Sequence, residues 1–312
     1  ALEGFNELDQ IFEYLKLLVI CFISVFNVSY SQKKIENDLS KSLLKGKVKQ
    51  IKTISFEAVE KFGVLIKSSK TGTNIIEYNE NGFIIKTTEY DEKNKITSTV
   101  KYKYDSKNNL IENPMFGGLS ICKYDLNNFC IQKDECKKDK TLKFRTLYKY
   151  IRDSLLIEEI TYNAKGAFYN KSTYKYDDDG NQIEISWHKK NGELKYHVLK
   201  EYDENGNMTK EDDLIGILGE RGSTMTYSFN DKNQVIETNF TSNDGMEYTR
   251  TTDYDEYGNI ISENSVSSSF MNTFNYNYEY KYDAFGNWIE RKETGNGPTE
   301  RLTITERELT YY

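Results

Sequence analysis

The residues in this chain best placed to do chemistry are acids and amides set at fixed intervals. Asp177, Asp179 and Asn181 stand within DDDGN, and Asp203, Asn205 and Asn207 within DENGN. Such oxygen-rich runs resemble calcium loops, but those also need a bidentate acid several residues on, and Glu184 is at the wrong distance. Turn capping accounts for the same residues, because an Asp opening a turn accepts from the backbone N–H two residues later. Glu112, Glu158, Glu184, Glu237 and Glu290 recur at one offset from these runs, which marks a solvated row rather than a catalytic pair. Cys122 and Cys130 flank an expected turn on facing strands, where a local bridge is geometrically open to them. Their spacing fits no zinc pattern, and His188 and His197 are the only histidines. No serine occupies a nucleophile elbow, and no glycine-rich loop is shaped to cradle phosphate. The expectation is a non-enzymatic chain with no metal and no cofactor.

Binding chemistry is better supplied. The sequence holds 25 tyrosines, 16 phenylalanines and 2 tryptophans, and a tyrosine ring offers a flat apolar body with a polar tip. Tyr176, Trp187, Tyr202, Tyr254, Tyr282 and Trp288 are the candidate ligand-binding rings, with glycan or an envelope protein as the partner. A net charge of −7 without any basic stripe argues against nucleic acid.

These residues belong to a repeat. The phrase returns as YDDDGNQIE from Tyr176, YDENGNMTK from Tyr202, YDEYGNIIS from Tyr254 and YDAFGNWIE from Tyr282. Weaker copies start at Tyr78, Tyr104, Tyr124 and Phe229, and half-way copies at Tyr162, His188 and Thr241. Steps alternate between 12 and 14 residues, and Tyr124, Tyr150, Tyr176 and Tyr202 stand 26 apart. The fourth position after the anchor is Gly or Asn in nearly every copy, including Gly180, Gly206, Gly258 and Gly286, while Ser154 breaks the rule. Gly and Asn tolerate a left-handed backbone, so each phrase reads as a type I turn closed by a left-handed residue, a common hairpin connection. With 2 prolines in 312 residues, backbone donors stay available for long ladders.

The fold class expected is all-β: a long antiparallel meander of around seventeen strands, coiled into a curved or spiral sheet because twist accumulates. After each turn two adjacent positions are apolar, as at Val235-Ile236 and Trp288-Ile289. Adjacent residues point to opposite faces, so both faces near that edge are expected to be covered. Residues 45–312 form a single domain whose first strand lies within Lys47 to Glu60. Leu214 to Gly222 reads as a variant hairpin, and Ser265 to Phe270 stands where a half-repeat is missing.

The phrase YD-x-x-G-N, preceded by an aromatic as in YKYD at Tyr102 and Tyr174, resembles the Rhs/YD-repeat family over roughly residues 70 to 295. The resemblance implies a curling sheet of hairpins, which in large toxins becomes a shell around an effector. It also implies an alternative to a binding scaffold: a structural or shielding component of a toxin or secretion system.

The N-terminal region reads as an export signal. Leu17 to Phe26 (LLVICFISVF) is an apolar run too short to span a bilayer comfortably and followed by Ser29-Tyr30-Ser31. Residues 1–31 are the expected signal peptide, with Gln32 the mature N-terminus and 1–14 upstream of a start at Leu15; a short buried helix from Leu8 to Phe26 is the alternative. Residues 32–44 form a short lead, helical or unstructured. The mature protein is expected to be periplasmic, on the cell surface or secreted, without a membrane span.

Overall fold

The computed structural model describes residues 37–115, 118–151, 155–215, 220–268, 272–296 and 300–312. The expected signal peptide 1–31, the exception at Ser154 and the middle of the expected variant hairpin at 216–219 lie outside these residues. One short helix, α1 (Asp38–Lys41), precedes the sheet. The strands follow as β1 (Val48–Lys61), β2 (Val64–Tyr78), β3 (Ile84–Tyr90), β4 (Ile96–Lys101), β5 (Lys103–Tyr104), β6 (Leu110–Met115) and β7 (Gly118–Tyr124). Next come β8 (Cys130–Lys137), β9 (Leu142–Ile151), β10 (Leu155–Asn163), β11 (Phe168–Tyr176), β12 (Gln182–His188), β13 (Leu194–Tyr202) and β14 (Met208–Ile215). The last are β15 (Glu220–Phe229), β16 (Val235–Ser242), β17 (Glu247–Tyr254), β18 (Ile260–Ser267), β19 (Asn272–Tyr282), β20 (Trp288–Asn296) and β21 (Glu300–Tyr311).

Each strand pairs antiparallel with its neighbours in sequence, and β21 then pairs antiparallel with β1, from Glu57↔Thr303 to Val48↔Tyr311. The expected coiled meander therefore comes round on itself. β4 and β5 are one strand pinched at Tyr102, whose N–H still donates to the Ile85 carbonyl at 3.0 Å. The 21 segments thus make an even ring of twenty, which an antiparallel ring needs if its ends are to pair. Closure is weakest beside this pinch, where only Lys103↔Glu112 and Tyr104↔Leu110 join β5 to β6. Pro114, which has no N–H to give a ladder, sits in β6 at this seam. The count exceeds seventeen because the β1–β2 hairpin, turning at Phe62-Gly63, and the hairpin turning at Lys137 to Thr141 do not carry the repeat phrase.

The turns are as their chemistry dictates. In the hairpin of β11 and β12, Asp177 N–H donates to the Asn181 carbonyl and Gly180 N–H to the Asp177 carbonyl. The Asp177 carboxylate accepts from Asn181 N–H at 2.7 Å and from the Asn181 amide at 3.0 Å. All twelve fourth positions with Gly or Asn have positive φ, from +59° at Asn233 to +90° at Gly258. Immediately past nearly every phrase lies a bulge, the turn between β16 and β17 excepted: Tyr176 faces Gln182, yet Lys175 faces Glu184. That bulge corrects one expectation. The apolar doublet is a two-against-one bulge rather than a two-sided core, and Ile236 and Ile261 are exposed.

A second regularity ties hairpin to hairpin. Toward the phrase-bearing rim, the ladder between successive hairpins stops early: β12 and β13 last pair at Glu184↔Leu199, and β16 and β17 at Glu237↔Thr251. The strands splay beyond that point, and a tyrosine spans the opening. Three residues past the last pair, its hydroxyl donates to the carbonyl two residues before that pair's other member. Tyr104 reaches Ile84, Tyr124 Leu110, Tyr150 Cys130 and Tyr176 Leu156, all at 2.8–2.9 Å. Tyr202 reaches Gln182, Tyr254 Val235 and Tyr280 Ile260 at the same range. The rule explains why Tyr280 serves instead of Tyr282. The step from Tyr254 to Tyr282 is 28 residues rather than 26, so the ring two places earlier falls opposite Ile260.

The two faces of the ring differ. On one, Lys and Glu pair across strands: Lys103–Glu112, Lys175–Glu184 and Lys281–Glu290 at 2.8–2.9 Å, and Lys171–Glu158. This is the solvated row the sequence marks, with Glu237 held by Asn239 instead. The other face carries Tyr148 and Tyr150, Tyr174 and Tyr176, and Tyr196, Val198, Lys200 and Tyr202, all more covered than the alternate positions of their strands. Curvature crowds the inward side of a closed sheet, so this is the inner face. Only eight apolar residues are buried among those described, and Leu39, Val48, Ile51 and Tyr78 cluster where α1 meets the rim. A ring of twenty strands has a perimeter of ~95 Å at ~4.8 Å per strand, far more than these side chains fill. No helix of the described residues is long and apolar enough to cross a membrane.

Two outcomes test this construction. Gly206 has φ +77° and open space around a Cβ, with Asn181 Oδ1 nearest at 3.6 Å. Gly206→Val should therefore cost about 1–2 kcal/mol and Gly206→Asn much less, by denaturant unfolding; equal losses would contradict a conformational role. Gly295 differs, because a Cβ there would lie 2.2 Å from the Tyr276 ring, so Gly295→Ala should destabilise through packing and is not the neutral position its distance from any turn suggests. The tyrosine rule makes the second prediction. Between β14 and β15 the last pair is Lys210↔Thr226, which puts Phe229 in the tyrosine place and Met208 at the acceptor. Phe229→Tyr should stabilise by about 0.5–1.5 kcal/mol, and Tyr202→Phe should cost a similar amount. Destabilisation by Phe229→Tyr would break the rule.

Candidate functional site

Alternation along the strands puts every second side chain on the inner face, and the ladder register aligns them in rows. One row runs through Tyr280, Arg291 and Thr305, and the next through Tyr278, Glu293 and Thr303. Tyr278 donates to Glu263 at 3.0 Å, and Arg250 lies 3.5 Å from the same carboxylate. Thr303, Arg291 and Arg301 surround Glu293, the two arginines at 3.4 and 4.0 Å. Across the ring, Lys200 and Glu211 are 3.3 Å apart with only 9% of each side chain exposed.

Burial shapes the acid chemistry. It pushes Glu159, Glu211 and Asp213 above the usual carboxylate range, although Lys200 opposes the shift at Glu211 and Asp213. It also raises Tyr202 to about 12, which keeps that hydroxyl a proton donor for the rim bond. The turn acids go the other way. Hydrogen bonds from the Asn181 and Asn207 side chains, from the Tyr311 hydroxyl at Asp283, and from turn N–H groups hold Asp177, Asp203 and Asp283 below the ordinary range, outweighing the desolvation that opposes them.

The six candidate rings do not converge. Tyr176, Tyr202 and Tyr254 stand round the rim with their hydroxyls committed to backbone carbonyls. Tyr282 lies 4.4 Å from the Tyr257 ring and donates to Asp255. Trp187 stacks on Tyr196 at 4.4 Å and 21°. Trp288 lies under Arg307, whose guanidinium is 3.4 Å from the ring centroid, and meets Tyr280 edge-on at 6.1 Å. Both tryptophans are half-buried, because the aromatic face is the concave one. Residues absent from the sequence reading are Tyr196, Tyr278, Arg291, Arg307, the half-buried Glu159 and the buried Glu211. Counting back in twos from each anchor tyrosine identifies the tyrosines among them.

A cleft of about 280 Å³ opens between neighbouring rim turns, lined by Asp105, Lys107, Asn109, Cys122, Tyr124 and Asp125. Cys122, Cys130 and Cys136 are all free thiols. The Cys122 and Cys130 thiols interact across their hairpin, which lowers Cys122 to about 6 and pushes Cys130 up. No group of three or more potential metal-binding side chains occurs among the described residues.

These shifts set a pH profile. As pH falls from neutrality, Glu159, Glu211 and Asp213 take up protons in the folded state before they do in the unfolded chain, so stability rises. Below the ordinary carboxylate range near 4, the unfolded chain protonates before Asp177, Asp203 and Asp283 do, and their contribution is lost as pH falls through their depressed values. The Cys122 thiolate acts in the opposite sense between pH 8 and about 6, so in a Cys122→Ser background the melting temperature should rise from pH 8 toward about 5 and drop on further acidification. Glu159→Gln should flatten the first limb and leave the second; a profile unchanged by that substitution would contradict the assignment.

No protein-family model matches the chain, and no curated protein sequence matches it. Among solved structures it is similar to part of the Tc holotoxin pore of Photorhabdus luminescens, with a TM-score of 0.35 and 13% identity over 72% of this chain. The chain spans only 15% of that toxin structure. It is also similar to porin-like proteins from Bacteroides uniformis, with a TM-score of 0.35 and 11% identity, and from Bacteroides vulgatus, with 0.28 and 12%. Each covers 85% of this chain, which spans 99% and 98% of theirs.

Proposed function

We propose that this chain is an exported, non-enzymatic binding scaffold of the cell envelope or extracellular space, whose aromatic inner face engages glycan or protein. The observation that carries the reading is the character of that face. Tyrosine and tryptophan rings alternate there with Glu, Arg, Ser and Thr where a closed sheet would otherwise pack aliphatic side chains. Rings with polar tips beside hydroxyls and charged groups suit sugars and polar protein surfaces alike. The apolar run from Leu17 to Phe26 supports export.

A second reading, a structural or shielding element of a toxin or secretion system, is favoured by the pairing of β21 with β1, which leaves the inner face enclosed. A glycan array and a pull-down on residues 32–312 separate the two. The binding reading expects a soluble oligosaccharide or a defined envelope protein to bind, and Trp187→Leu to weaken it at least tenfold while the fold persists by circular dichroism. Retained binding by Trp187→Leu, with a melting temperature lowered by many degrees, would show the Trp187–Tyr196 stack to be packing alone. Co-purification of an enclosed polypeptide without glycan or surface binding would favour the shield.

A further inference from the structure

The arginines of the inner face are not equivalent. Arg250 lies 3.5 Å from Glu263 and Arg291 3.4 Å from Glu293. Arg307 pairs with no carboxylate among the described residues. Its electrostatic neighbours are the like-charged Arg291 and the hydroxyls of Tyr78 and Tyr280. It lies against the Trp288 indole at 3.4 Å, with Arg291 at 5.7 Å from the same ring. The Nε atoms of both arginines are buried and take no hydrogen-bond partner. Directly across the ladder from Arg307 is Thr53, and Arg291 faces Thr305. No acid enters from either neighbouring strand at these positions.

A largely buried cation is costly unless something neutralises it. This chain has seven more acids than bases, yet the rows around Arg307 hold threonines and tyrosines. Burial and Arg291 together lower the Arg307 pKa to about 10, the direction expected of a guanidinium without a counter-ion. A structural cation–π contact explains the position over Trp288 but not the missing acid. Beside the pair the rim narrows to a crevice of about 10 Å³ lined by Leu43, Tyr257, Asn287, Trp288 and Arg307. The Asn287 amide there is already bonded to Lys45 and Tyr311, so Arg307 is open to a ligand only from the inner face.

We propose that Arg307, with Arg291 and Trp288, forms an anion-recognition site for the carboxylate of an acidic glycan, an inference that rests on the glycan-binding reading of the inner face. The guanidinium fork suits a planar carboxylate, and the threonine hydroxyls of the adjoining rows, Thr53 and Thr305, suit the polyol that carries it. An acidic peptide would offer the same carboxylate without using those groups.

The test is titration of the mature protein with trigalacturonate, followed by tryptophan fluorescence in a Trp187→Phe background so that Trp288 alone reports. Cellotriose and triglutamate serve as the neutral and peptidic comparisons. Trigalacturonate should bind, more weakly at higher salt, and raise the melting temperature of the parent protein. Arg307→Gln should weaken binding about tenfold or more, the loss of one strong charged contact, and abolish the melting shift, whereas Arg250→Gln should leave both intact. Binding of cellotriose as tightly as trigalacturonate would overturn the anion site and leave the glycan reading standing. Preference for triglutamate would overturn the glycan assignment. No trigalacturonate binding by the folded parent protein would overturn the proposal outright, and the array result would judge the broader reading independently.

Discussion

The structure depends on one hydrogen bond made repeatedly: a tyrosine hydroxyl donated to a carbonyl across the opening between two hairpins. Within a hairpin the turn aspartate and the left-handed fourth residue hold the strands together. Between hairpins the turns form no ladder and meet only through side-chain contacts such as Asn207 to Asn233, and the strand ladder lets go early. The phenol occupies the opening and satisfies a carbonyl the ladder has abandoned. Its ring is covered, as the raised pKa of Tyr202 records, and its reach from Cα to hydroxyl sets how far the strands splay. A shorter side chain would leave the carbonyl open, and a longer one would not fit.

That geometry accounts for the scarcity of buried aliphatic residues. Each hairpin is secured to the next by ladder, phenol and rim contacts such as Asn207 to Asn233 and Asn109 to Asn128, at 3.0 and 3.1 Å. The sheet closes by completing the circuit through β1 and β21, rather than by collapse onto a hydrophobic centre. Leu309 stands in the tyrosine place between β20 and β21, three residues past Glu290↔Glu306. There α1 and the lead take over, with Leu39 and Leu44 packed near Leu309 and Lys45 N–H donated to Asn287 at 2.7 Å. The tyrosine and the lead are alternative solutions to the same opening.

This explains how much could be read from the sequence. Turn positions were legible because each demands a residue with special backbone tolerance, and Gly180, Gly206, Gly258 and Gly286 all have the left-handed φ their spacing calls for. The solvated glutamate row was legible from its period. Ring closure was not, because β1 and β21 lack the phrase and their pairing spans nearly the whole chain. The bulge after nearly every turn was also hidden: a doublet such as Val235-Ile236 looks the same whether it straddles two faces or shares one. The candidate site suffered from the same ambiguity. Anchor tyrosines stood out by repetition, yet repetition marks what every hairpin needs, and their hydroxyls are spent on the fold.

On the proposed reading, the binding part of the inner face lies where side chains vary from hairpin to hairpin rather than where the repeat fixes them. Trp187, Trp288, Arg291 and Arg307 occupy positions that vary from hairpin to hairpin, as where Trp288 and Arg291 are matched by Met208 and Glu211 on β14 and by Val235 and Thr238 on β16, and no turn or ladder requires them. Trp288 and Arg307 also lie where the regular hairpins give way to the closing strands and the lead. Repetition there no longer constrains the side chains, and inward positions on β20 and β21 are released from the tyrosine rule. A scaffold that closes without a packed core leaves such positions free to carry charge. The Arg307–Trp288 contact sits at that transition, where a departure from the pattern costs the fold least.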